Sequence, residues 1–281
     1  MRSNTIIKNR FVHVLYLFFI IFIAFIFFLP IFITILTAIK TNQDLLRNGL
    51  WSIPKSLFFG GFKEAWVNRR LSMFFKNSLI IVPPAVLGSL FFSSLAAHAI
   101  ANFRFVFRKL ILIVFIAGMW FPPQIFLIPI YFLAQKLGIY DTYLALVLVQ
   151  VGYALPFGVL VLSQFFENIP RDVIEAARID GANEFKVLTK IVWPLSLPAL
   201  GAVAIFQSTW IWNDFFWNLL MAQSLEIQPI MVGIVASTSG RYVFDWNCQA
   251  CSLLIAMTVP LLIFIFFQRF FVEGIKMGSI K

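Results

Sequence analysis

The chain reads as an all-α integral membrane protein with six transmembrane helices, and three observations point there. It is 61% hydrophobic, with mean hydropathy +0.91 and 35 Phe among 281 residues, which is more apolar surface than a soluble domain of this length can bury. Six charge-poor runs, at about 11–39, 77–103, 110–135, 142–166, 191–225 and 246–268, each meet the roughly 20 residues that a bilayer-spanning helix needs. Between the fourth and fifth runs lies a charged segment, 167–190, where nine of 24 residues carry charge in a chain that is 12% charged. Something other than lipid must read that segment.

The first run is 29 residues long, about twice the apolar core of a secretory signal, and no small-residue cleavage site follows it, so it is expected to remain as a membrane helix. The loop from 40 to 76 places Leu57, Phe58, Phe59, Phe62, Ala65, Trp66, Leu71, Met73, Phe74 and Phe75 among Lys and Arg. Its second half is expected to rest on the membrane surface. Prolines 83, 84, 122, 123, 156, 194 and 198 imply kinked helices in the later runs. Cys248 and Cys251 share nearly one face at the start of the sixth run, and with no His beside them they read as small buried apolar residues, not metal ligands.

Basic residues set the orientation. An inside amino terminus collects 13 Lys and Arg on the cytoplasmic side, against nine outside, of which seven lie between Lys40 and Lys76 and one each are Lys136 and Arg241. Both termini and the segment 167–190 are therefore expected to be cytoplasmic, and the loop 222–247 external. The net charge of +10 is scattered over loops, which suits anionic lipid and gives no nucleic-acid signal.

No G-x-x-x-x-G-K-[ST] phosphate loop is present, so the chain is not expected to cradle ATP itself. His13 and His98 are far apart, and no nucleophilic triad, H-E-x-x-H or paired intramembrane carboxylate stands out. Asp214 is the one acidic group well inside a run.

In the central segment, Pro170 suits a first helical turn and Asp172 and Glu175 lie where the helix dipole favours them. Glu175 and Arg178 are three apart and can pair, Ala176 and Ala177 offer a small-residue surface, and Gly181 sits where a helix ends in the left-handed conformation. Asn183 can cap a second helix running through Phe185 and Leu188 into the fifth span. An ordinary amphipathic loop helix would show the same features.

Glu175-Ala-Ala-Arg-Ile-Asp-Gly-Ala-Asn183, followed by Trp193-Pro-Leu-Ser-Leu-Pro198, resembles the EAA loop of ATP-binding cassette (ABC) importer permeases, in the E-A-A-x-x-D-G-A form of carbohydrate uptake systems. The similarity continues at Asn77-Ser-Leu79, Ala96 to Phe105, Met119-Trp-Phe-Pro-Pro123, Leu137 to Thr142, Trp212-Asn-Asp-Phe-Phe216 and Gln268 to Lys276. It covers 11–281 and matches the shorter, six-span permease of maltose-type sugar importers, an ABC transmembrane type-1 fold. His98 and Asn102 depart from the pattern, which usually has Tyr and Arg there, as does the tail Gly278-Ser-Ile-Lys281; none of these departures is expected to touch the docking loop.

The resemblance implies a transport subunit, not an enzyme, in the bacterial cytoplasmic membrane. It implies an N-terminal helix with an external amphipathic loop over 1–72, a permease core over 73–268 and a cytoplasmic tail over 269–281. Glu175, Ala176, Ala177, Asp180 and Gly181 would couple it to two separate ATPase subunits that hold ATP and Mg, while the chain itself binds no cofactor. A second homologous permease and a periplasmic or lipid-anchored substrate-binding protein would complete the system. The cargo implied is a sugar, oligosaccharide or polyol, with a phosphorylated polyol such as glycerol 3-phosphate as the alternative.

Such a cargo needs hydroxyl partners and aromatic faces. Gln150, Tyr153, Gln207, Trp210, Asn213 and Asp214, with Trp212 and Asn218 nearby, are the polar or aromatic groups of the later runs that could supply them. Gln207, Trp210 and Asn213 or Asp214 recur at three- or four-residue spacing and are expected to share a pore-lining face. An ion-driven secondary transporter would show inverted repeats and several buried carboxylates, which are not seen. A purely structural membrane protein would tolerate loss of Glu175 and Gly181.

Overall fold

The computed structural model describes residues 2–238 and 245–278, with side chains from Leu15 to Ala236 and from Asp245 to Arg269 together with His13; Ser239, Arg241 and 279–281 lie outside the described residues. Every element among the described residues is helical. In order they are α1 (Arg2–Ala38), α2 (Asn42–Asn48), α3 (Gly60–Lys63, continued by a π-helical turn Glu64–Asn68), α4 (Leu71–Asn102), α5 (Arg108–Trp120), and α6 (Leu127–Lys136, preceded by a 3-10 turn Pro123–Phe126). Then come α7 (Tyr143–Glu167), α8 (Arg171–Ile179), α9 (Glu184–Val187, continued by a π-helical turn Leu188–Val192), α10 (Trp193–Leu195), α11 (Leu197–Asn213), α12 (Phe216–Met221), α13 (Ile230–Thr238) and α14 (Trp246–Gly278).

Four stretches are continuous helices long and apolar enough to span a bilayer: Leu15–Ala38, Leu71–Asn102, Tyr143–Glu167 and Trp246–Arg269. The other two expected spans are bent pairs, at 97° between Arg108–Trp120 and Pro123–Lys136 and at 84° between Glu184–Leu195 and Leu197–Asn213. The causes are local. Phe121 and Pro122 each precede a proline, which disfavours helical backbone, and both are extended at ψ 130 and 129. At the second bend Pro198 has no N–H to offer the carbonyl four residues back, and the chain turns at Ser196. Pro83, Pro84 and Pro156 instead sit inside continuous helices, so only some of the flagged prolines break their spans.

The chain divides into two compact units. One comprises 1–70 with 237–255, a long-range grouping that no local sequence signal indicates. Asn247 organises it: its amide nitrogen donates to the carbonyls of Thr37 (3.2 Å), Ala38 (2.8 Å) and Lys40 (2.6 Å), satisfying the orphan acceptors at the end of α1. Lys40 is fully buried and its ammonium is satisfied by the carbonyls of Gly49 and Leu50 and the hydroxyl of Ser52. Cys248 and Cys251 are free and buried in this unit, and among the described residues no cluster of His, Cys, Asp or Glu could hold a metal ion.

The other unit, 71–236 with 256–281, is built on the packing of α4 against α7. Between helices in lipid the hydrophobic effect offers little, so close approach and hydrogen bonds must hold the seam. The sequence supplies small residues for it: Ser89, Ser93 and Ser94 on α4 are buried, and a Cβ on Gly158 of α7 would lie 2.5 Å from the Ser93 hydroxyl. Trp212 is buried and donates from Nε1 to the Ala256 carbonyl at 3.0 Å, which ties α11 to α14. A second apolar cluster, including Ile81, Leu146 and Met221, closes the other end of this unit.

Candidate functional site

The charged central segment forms a helix, an elbow and a second helix. Pro170 is the N-cap of α8, one position outside the expected first turn, and Asp172 lies in that turn. Ile174 and Ala177 turn inward into a cluster with Ala97 and Ala101 of α4, Leu162 and Phe166 of α7, and Val187 and Leu188 beyond the elbow. Glu175, Ala176, Asp180 and Gly181 are exposed, whereas Ala177 faces the chain's own core. Gly181 has φ +82, the left-handed conformation that ends α8, and a Cβ there would meet nothing within 4 Å. The Asn183 side chain caps α9 by accepting from the Lys186 N–H at 2.9 Å.

Two expectations about this segment need correction. Arg178 pairs with Glu184, not with Glu175: its Nε donates to Glu184 Oε1 at 2.7 Å and its terminal nitrogen to Oε2 at 3.2 Å. The elbow folds α9 back so that a residue six positions along lies nearer than one a helical turn away. These hydrogen bonds hold the Arg178 pKa above its ordinary value, against burial, which lowers it. The second helix also does not continue straight into the fifth span, because the chain bends 84° at Ser196.

His98 does touch the segment, contrary to expectation. It is buried near the end of α4, with Nε2 3.0 Å from Glu184 Oε2 and Nδ1 2.9 Å from the Asn102 amide nitrogen. Arg178 lies 5.6 Å from the centroid of the Phe103 ring, and that ring stands edge-on to His98. The sequence signal was the double departure at positions 98 and 102, but a contact spanning 86 residues is not visible in local spacing.

The six residues expected along the substrate path fall into three places. Gln207 is fully buried against α7, donating from Nε2 to the Ala154 carbonyl at 3.0 Å, so it leaves the face expected to hold it with Trp210 and Asn213. Trp210 and Asn213 are exposed, and Asn213 donates to the Thr209 carbonyl of its own helix. Trp210 meets half-buried Tyr153 edge-on at 5.2 Å, and both line a mostly apolar cavity of about 420 Å³ with Met119, Phe157 and Trp217. Gln150 is buried and donates to Asp214 Oδ2 at 2.9 Å. Asp214 is not well inside a helix: it is the extended residue that ends α11, and it accepts from the Asn218 N–H of α12. Trp212 and Asn218 are buried.

Comparison with known proteins relates this chain to transport proteins. Residues 89–277 match the family described as binding-protein-dependent transport system inner membrane component. The chain is 32% identical over 253 residues to the osmoprotective compounds uptake permease protein GgtD of Synechocystis sp., covering 88% of this chain and 85% of that one. It is 31% identical over 257 residues to the arabinooligosaccharides transport system permease protein AraQ of Bacillus subtilis, covering 90% of each. Its fold matches, at TM-score 0.78, 19% identity and 98% coverage of both chains, a chain in the crystal structure of a bacterial ABC transporter involved in the import of the acidic polysaccharide alginate.

Proposed function

The chain belongs to the binding-protein-dependent transport system inner membrane components, as an ABC transporter permease and not an enzyme, and we propose that it carries a sugar or oligosaccharide inward as one of two permeases in an ATP-driven importer. The observation that carries this reading is α8. It is pinned to the ends of α4 and α7 through Ile174 and Ala177 yet presents Val173, Ala176, Ile179 and Asp180 outward, with Ile179 86% exposed. An apolar tip among charges on a helix this short suits a protein socket better than lipid or water. In this reading the partner is a separate ATPase subunit that holds ATP and Mg. Glu175 offers a fixed charge, Ala176 allows close approach, Ala177 seats the helix on the chain's own core, and Asp180 and Gly181 form the turn.

Both termini and α8 then lie on the cytoplasmic side. A second permease completes the pathway, and an external binding protein, from which the family takes its description, delivers the cargo. Tyr153, Trp210 and Asn213 are the groups we assign to the substrate path, since they combine aromatic faces with an exposed amide. Gln150 and Asp214 stand behind them, and we assign Gln207 to helix packing. The named relatives are described as taking up arabinooligosaccharides and osmoprotective compounds, which favours a sugar or oligosaccharide cargo over glycerol 3-phosphate.

The test is recovery of co-expressed ATPase subunits on the tagged chain. Gly181→Val, which costs a non-glycine residue roughly 1 to 2 kcal/mol in a left-handed backbone, and Glu175→Lys should both lower recovery while membrane insertion stays normal. Wild-type recovery in both variants would refute the docking role.

A further inference from the structure

We propose that His98 is a positioning residue of the coupling segment: from α4 it fixes Glu184, and through Glu184 the Arg178 end of α8, so that displacement of α8 is handed to the transmembrane helix α4. The proposal rests on reading α8 as the ATPase-contacting helix.

The hydrogen-bond roles at His98 are determined by its neighbours. The Asn102 amide nitrogen can only donate, so Nδ1, 2.9 Å away, accepts. The ring proton then sits on Nε2, 3.0 Å from the Glu184 carboxylate, which can only accept when ionised. This arrangement satisfies both partners, and His98 is 5% exposed, so water has little access to the ring itself. Glu184 in turn receives both Arg178 bonds, and Arg178 lies over Phe103, the residue that follows α4. The result is a closed ring of contacts through His98, Glu184, Arg178 and Phe103, polar on one side and aromatic on the other, that joins the end of α4 to both arms of the elbow.

The apolar cluster beneath does not make this ring redundant. Ala97, Ala101, Ile174, Ala177 and Val187 bring the helices together, but contacts between small apolar side chains are non-directional and set no angle. Helices α8 and α9 have nine and four residues and are joined through a left-handed glycine. An elbow of that kind transmits force only if something braces it, and charge-assisted hydrogen bonds supply direction as well as energy.

The experiment uses the assembled complex of both permeases and the ATPase pair in lipid nanodiscs. A spin label is placed on α4 at Leu87→Cys, in a background with Cys248 and Cys251 replaced by Ala, and the change in label mobility on adding ATP is measured. Loss of a part-buried hydrogen bond to a charged group predicts that His98→Ala reduces the ATP-dependent change by about fivefold or more at unchanged ATPase recovery. His98→Gln, whose amide N–H can reach the same carboxylate, should restore most of it, which a merely space-filling role would not produce. Glu184→Gln should behave like His98→Ala, and the double variant no worse than either; if His98→Ala fails to accumulate, Glu184→Gln carries the test. A full ATP response in His98→Ala, or in Glu184→Gln, overturns the proposal while leaving the docking role standing. Absence of any ATP response in the parent complex, or normal ATPase recovery with Gly181→Val, counts against the docking role itself.

Discussion

Gln150 on α7 donates from Nε2 to the carboxylate of Asp214 at 2.9 Å, joining the middle of one helix to the break between two others. The same carboxylate oxygen accepts the Asn218 backbone N–H at 3.2 Å and so starts α12. A polar pair in this setting is costly unless every member is satisfied.

Replacing Gln150 by Leu keeps the volume and removes the donor. Asp214 Oδ2 keeps the Asn218 N–H but loses its side-chain donor, which should cost about 1 to 3 kcal/mol, read as a lower Tm of the purified chain in detergent. Leu at both 150 and 214 should not recover that loss, because the Asn218 N–H that starts α12 then also loses its side-chain acceptor. An unchanged Tm in Gln150→Leu would show that the contact is dispensable for stability.

Asp141 makes a second long-range tie, accepting from the N–H groups of Gln223 (2.8 Å) and Ser224 (2.9 Å) and from the Ser224 hydroxyl. Burial pushes its pKa up, but these three donors outweigh it and hold the carboxyl below its ordinary value. A folded-state pKa below the unfolded one means the tie contributes fully above the ordinary carboxylate value of about 3.9 and is lost as pH falls through the lower folded value. Amide exchange at Gln223 and Ser224 should therefore be protected from neutral pH to about pH 5 and lose protection on stronger acidification. Asp141→Gly, which keeps the positive φ of 59 comfortable, should lose the protection at every pH. Protection that survives the substitution would show that other contacts hold the strand of chain.

Gly158→Ala should destabilise the α4–α7 seam, since the new Cβ would lie 2.5 Å from Ser93 Oγ. The expected cost is about 1 to 3 kcal/mol by the usual penalty for overpacking, seen as reduced thermal stability. Ser93→Gly in the same chain should relieve it. Gly152→Ala, with nothing within 4 Å of its Cβ, is the control that should change little.

Sidedness is tested with single cysteines at Lys186 and Glu226, both exposed, in a background lacking Cys248 and Cys251. A membrane-impermeant thiol reagent on intact cells should label only the cysteine at 226. Labelling at 186 alone would reverse the orientation.

Much of the site was legible because its signals are local. A glycine after a helix, an asparagine before one and an aspartate in a first turn each act on their own few residues, and Gly181, Asn183 and Asp172 took up those roles. Six apolar runs were likewise enough to place the four continuous candidate spans and the two bent pairs, though not the shorter helices between them. What spacing could not give was anything that depended on how the chain returned. Arg178 has a carboxylate three residues before it and chose one six residues after it, because the elbow changed which was nearer. Gln207 has the periodicity of a pore-lining residue, but α7 lies on its side of the helix. The breaks at Pro122 and Ser196 show the same limit, since equally placed prolines in α4 and α7 left their helices continuous.

The role proposed for α8 is to couple hydrolysis on a separate subunit to movement of cargo. It is tested most directly by sugar uptake and ATP hydrolysis in reconstituted vesicles holding both permeases, the ATPase pair and the binding protein. With Glu175→Lys the permeases should still assemble while uptake falls at least about tenfold, the effect of replacing one favourable charged contact by a repulsive one. Uptake and hydrolysis at the unsubstituted level in that variant would contradict it.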